Sequence, residues 1–239
     1  MIGYNVDEIN NLVKNLNTSY QKLGETMATG WDVVSTTLGT EWVGADELSF
    51  ETELAKRMVI LYYSCKESVM GMIENIRSLG VAWQDFQNKN MMSGVTAPTV
   101  VFFDIDAVNL PDYQIENVVK PAERTFTAGM QMGVTNGEQS ATNINSKVTE
   151  YVNTIGETVK AMYDSTSSAT AFLGASQSDA INEYLKKMAT SFSQVVTQVS
   201  DMQQTLTILV KNYNDQMAAF AQSVSGLDTT VGTTQAPTA

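Results

Sequence analysis

The sequence predicts an all-α protein in which two long antiparallel helical hairpins close into an intramolecular four-helix bundle. Three observations carry that prediction. Prolines are confined to Pro98, Pro111, Pro121 and Pro237, which leaves residues 1–97 and 122–236 without any and free to be helical. Apolar residues recur at three- and four-residue steps through both blocks. An offset of 130 residues then lays one block on the other without a gap, the mark of an internal repeat.

The first hairpin is expected over residues 1–90. Asn5 and Glu8 have capping-box spacing, and Ile9, Leu12, Leu16, Tyr20, Leu23, Met27, Trp31, Val34 and Leu38 form the first apolar stripe. A break is expected near Leu38-Gly39-Thr40. A second stripe runs from Leu54 through Met58, Leu61, Cys65, Val69, Met72, Ile76 and Leu79 to Trp83 and Phe86. A helix over Ala45–Gln87 would be on the order of 60 Å long.

Residues 91–120 read as an extended linker. Its Val100–Asp106 run is β-branched and aromatic, either a strap crossing the bundle or a docking strand for a partner. Asp104 and Asp106 lack the further oxygen ligands a metal site needs. The second hairpin is expected over 121–225, with a turn near Asn136-Gly137 and stripes Ile144–Met162 and Ile181–Phe220. Residues 226–239 are Gly, Thr, Ala and Pro-rich and read as a disordered tail. Surface positions are rich in Ser, Thr, Asn and Gln, which are mediocre helix formers. Stability must therefore come from packing of the stripes.

Composition narrows the function. The formal net charge is −12 and there is no histidine, so nucleic acid is disfavoured as a partner and the commonest general base and zinc ligand are missing. The one cysteine, Cys65, lies on an apolar stripe and reads as a small buried hydrophobe rather than a nucleophile. The sequence points to no catalytic residue, metal or cofactor. The first residues lack a basic n-region and an apolar h-region, and no stretch is apolar enough to span a membrane. Any export would need a route that reads something other than a cleaved signal peptide.

One motif joins the stripes of the first hairpin. Trp42-Val43-Gly44 is followed by Phe50 eight residues after the tryptophan. The glycine permits a sharp turn and the indole plugs the hairpin's end. At the 130-residue offset Phe172-Leu173-Gly174 takes its place, and the aromatic-x-Asp pair Trp83, Asp85 meets Tyr213, Asp215.

On these residues the chain resembles the WxG superfamily, the early-secreted-antigen-like substrates of type VII secretion systems, over residues 5–90 and more loosely over 138–220. The resemblance implies a pseudo-dimer of two hairpins within one monomer, where single-hairpin relatives must pair. It implies the type VII exporter and its ATPase as partners, and also a co-secreted helical protein or toxin. It further implies an export signal, Tyr-x-x-x-Asp/Glu, after the second helix and beside the opposite turn. Tyr213 and Asp215 would then approach Trp42 and Gly44, and Trp83 and Asp85 would approach Phe172 and Gly174. Both places lack the acidic residue at plus four, so either a degenerate signal or a partner's signal directs export. Tyr4/Glu8 and Tyr63/Glu67 have the spacing but lie elsewhere on the chain. A pore-forming type of helical toxin and a filament or phage structural protein are the alternative readings.

Overall fold

The computed structural model describes residues 5–90, 114–124, 133–170 and 175–225. Phe172, Gly174, the Val100–Asp106 run and the tail from 226 lie outside them. Five helices and a two-stranded ribbon are described: α1 (Val6–Glu41), β1 (Trp42–Val43), α2 (Ala45–Asn90), α3 (Ile115–Val118), β2 (Gly133–Val134), α4 (Glu138–Ala169) and α5 (Ala175–Ser225). The molecule is an all-α bundle of two antiparallel hairpins, as the stripes predict.

Asn5 caps α1, its Oδ1 accepting from the backbone N–H of Asp7 at 3.1 Å and Glu8 at 3.3 Å, which satisfies two otherwise orphaned donors. The helix does not break at Gly39, as the sequence led us to expect, but continues to Glu41. A side chain here would bring Cβ to 2.8 Å from the guanidinium carbon of Arg124. This glycine serves close approach, not a turn.

The broadest helix pairings join the two hairpins, α1 with α4 and α2 with α5, while α1–α2 and α4–α5 complete the ring. Neighbours run antiparallel. Along α2 and α5 the partners are Arg57 with Gln198, Ser64 with Ser191 and Gly71 with Tyr184. Rings seat on glycines at three seams: Tyr151 on Gly30, Tyr184 on Gly71 and Phe192 on Gly156, each where a Cβ would overlap the ring. The Tyr151 hydroxyl donates to the Met27 carbonyl at 3.0 Å, so this buried polar tip is satisfied. Tyr20 and Tyr62, both fully buried, stack at 4.8 Å between α1 and α2. One core runs through all four long helices.

The stripes outlast the core. Burial ends at Gly80 on α2 and Val210 on α5, and Phe86, Met217 and Phe220 are 57%, 66% and 64% exposed. The sequence pattern had placed all three on the packed face. The reason is length: α2 has 46 residues against 36 in α1, and α5 has 51 against 32 in α4. At about 1.5 Å per residue the second helix of each hairpin outruns the first by roughly 15 Å and 28 Å.

The described part of the linker is not simply extended. It holds the single turn α3, buries Ile115 and Val119, and follows the α1–α2 groove toward the Trp42 end. Along the way Tyr63 Oη donates to Glu116 at 2.6 Å, Trp31 Nε1 donates to the Lys120 carbonyl at 2.8 Å, and Arg124 donates to the Ser35 carbonyl at 2.7 Å. Beneath it Glu47 and Glu51 are fully buried on α2, and both face the Arg124 guanidinium, Glu51 at 3.4 Å.

Candidate functional site

The first hairpin turns over within three residues. Trp42 leaves α1 in extended conformation and its N–H still bonds the Leu38 carbonyl. Gly44 has φ +138°, a conformation side-chain-bearing residues rarely adopt, and its carbonyl accepts from Leu48 to start α2. The indole is 3% exposed and meets Phe50 at 5.7 Å between ring centres, tilted by 58°. Trp42 and Phe50 thus plug the end of the hairpin together.

The turn does not stand alone. Trp42 and Val43 form an antiparallel ribbon with Val134 and Gly133. Thr135 extends the tie, with its N–H on the Glu41 carbonyl and its hydroxyl on the Thr40 carbonyl, both at 2.9 Å. Glu41 reaches across to α4, accepting from Ser140 Oγ and Asn143 Nδ2, each at 2.7 Å. Those two bonds, Ser140 first, hold its carboxyl below the usual range. A carboxylate at the start of α4 also complements the positive end of that helix.

The C-terminal part of α5 closes the site. Tyr213 Oη donates to Asp46 Oδ2 at 2.5 Å, two residues past Gly44. Burial first, then this bond and the Asp46 charge, push the phenol up to about 12. Asp215 does not join Tyr213 at the turn. It is exposed and lies 3.5 Å from Lys211 on the same helix, because residues two apart face opposite sides of a helix.

At the other end of the bundle Trp83 is half-buried, and among the described residues its ring contact is Phe86 three positions on, edge to face at 5.7 Å. Asp85 faces solvent. The approach of this pair to Phe172 and Gly174 lies outside the described residues.

The sequence reading missed Asp46, the Glu41 tie and the buried Glu47/Glu51/Arg124 group. The last left a signal, because stepping the α2 stripe back from Leu54 by three and four residues lands on Glu51 and Glu47. Acids at core positions call for a buried cation. Cys65 is buried and unpaired; burial raises its thiol to about 12, far from the thiolate that nucleophilic chemistry needs. Among the described residues no group of three or more His, Cys, Asp and Glu is placed to hold a metal ion, and no helix is long and apolar enough to cross a membrane. No family model matches the chain, and neither a curated protein nor a solved structure matches it significantly.

Proposed function

We propose that this chain is a secreted, non-enzymatic helical protein, a substrate or co-secreted adaptor of a type VII secretion system. The observation that carries this reading is the Tyr213–Asp46 hydrogen bond, which sets the C-terminal part of the last helix against the Trp42–Gly44 turn of the opposite hairpin. Single-hairpin relatives of the WxG kind need two chains to form such a composite end; here one chain supplies both parts. From Asp215 to Gln222 the helix is exposed, which offers an exporter a grip that does not require unfolding the core. The lack of histidine and the inert, buried Cys65 favour a binding role over catalysis.

The test is secretion from the native host. Wild-type chain should accumulate in the culture medium and stay in the cells when the exporter's ATPase is deleted. Equal accumulation in the medium of both strains would remove the type VII reading.

A further inference from the structure

A second feature adjoins the Trp42 turn. Between the first turns of α2 and the C-terminal half of α5 runs a groove of about 420 Å³. Its floor is apolar, with Trp42, Phe50 and Leu206 all buried. Its rim carries three carboxylates, Asp46, Glu53 and Asp201, against one guanidinium, Arg57. That guanidinium is already engaged by Glu53 at 3.4 Å and Gln198 at 2.5 Å. Two donors lining the groove, Trp42 Nε1 and Arg57 Nε, are buried with no acceptor among the described residues.

Each feature selects the occupant. An apolar floor takes aliphatic or aromatic side chains, and an acidic rim favours cations and repels anions. Orphaned donors are costly, and the unbonded carbonyls of a helix's last turn supply acceptors that a purely hydrocarbon ligand lacks. A second copy of this chain would bring its own net charge of −12 against that rim. We propose that the groove docks a cationic amphipathic helix of a partner protein, with apolar side chains on Trp42, Phe50 and Leu206 and lysine or arginine against Asp201, since Glu53 is already paired with Lys56 and Arg57. This is helix-in-groove recognition, anchored at helical spacing. A partner seated here lies against the Trp42 turn, so its role as a co-exported protein rests on the export reading above, whereas its binding does not.

The experiment titrates the full chain with a labelled amphipathic Leu/Lys helical peptide and with its Leu/Glu counterpart, read by fluorescence anisotropy. The Leu/Lys peptide should bind saturably at one site and the Leu/Glu peptide should not. Asp201→Lys removes rim charge and Thr205→Trp fills the groove without changing charge; both positions are exposed, and each change should weaken binding about tenfold or more. Glu157→Lys, an equally exposed position on α4 away from the groove, should leave it unchanged. Circular dichroism verifies that all three variants fold. If Glu157→Lys weakens binding as much as Asp201→Lys, the attraction is that of any acidic surface and the site is wrong. Absence of binding by the Leu/Lys peptide, or equal binding of both peptides, also overturns it. Peptide binding with no secretion would leave the groove standing and remove only the export reading.

Discussion

The two hairpins share a helical plan but differ in what is attached to them. The second helices begin 130 residues apart, at Ala45 and Ala175. At that same offset Glu47 and Glu51 of the first hairpin fall on Gln177 and Ile181 of the second. Ile181 is a buried core residue, whereas Glu51 is a buried acid facing the Arg124 guanidinium. The far ends diverge in the same way. Tyr213 is anchored on Asp46, while Trp83 meets Phe86 on its own helix. A repeated apolar stripe builds equivalent helices, and a few polar exchanges on that stripe decide which hairpin carries the linker and which turn receives the opposite helix end.

Mutations that erase the difference should have the largest effects. Trp42→Ala removes a buried indole that packs on Phe50 and should cost about 3–5 kcal/mol in denaturant unfolding. Trp83→Ala at the opposite end of the bundle should cost less, about 1–2 kcal/mol, from a half-buried ring and one aromatic pair. Equal losses would make the two ends energetically alike and end the comparison.

The linker latch comes next. Arg124→Met strands two buried carboxylates and should cost about 3–5 kcal/mol. Adding Glu47→Gln and Glu51→Ile, the residues of the second hairpin, should recover most of that loss, because a well-packed apolar replacement of a buried ion group is often neutral. If the triple variant is no more stable than Arg124→Met alone, the latch is not what the charges do there.

Much of this was legible beforehand, and the part that was not has a physical reason. The four long helices, their pairing within hairpins and the plugging role of Trp42 follow from apolar spacing and one glycine, whereas the single turn α3 does not. What periodicity does not encode is where a stripe stops being covered. The exposure of Phe86, Met217 and Phe220 depends on the lengths of neighbouring helices, not on their own pattern. Gly39 was misread because a helix-interior glycine and a turn glycine look alike until Arg124 is placed above it. Asp46 could not be singled out, since nothing local distinguishes a first-turn acid that caps the helix from one that accepts a tyrosine hydroxyl at 2.5 Å from another helix. Glu47 and Glu51 could have been found, as acids sitting on core positions.

Smaller still are the effects of pH. Burial raises the Glu51 carboxyl above its ordinary value, despite bonds from Ser35 and the Ala122 N–H. A raised folded value means the folded chain holds that proton more tightly. Its stabilising share is therefore complete below the ordinary carboxylate range and is lost as pH rises through the folded value. Amide exchange in residues 114–124 should accelerate as pH rises beyond the intrinsic chemical rate, and Glu51→Gln should abolish the excess. Tyr213 behaves likewise at alkaline pH. With its phenol at about 12 against about 10 when unfolded, the link to Asp46 contributes in full below about pH 10 and fades as pH passes 12. Tyr213→Phe should lack that late tyrosinate step in an absorbance titration.

If an exporter reads one composite end, Tyr213 against the Trp42 turn, then changes at that end alone should govern secretion. The most direct measurement compares secretion of Tyr213→Ala/Asp215→Ala with Trp83→Ala/Asp85→Ala, both normalised to folded protein inside the cell. The first pair should be retained in the cell while still folded, and any loss in the second pair should follow its loss of stability. Normal export of the first pair from a host lacking every co-secreted partner would contradict this reading.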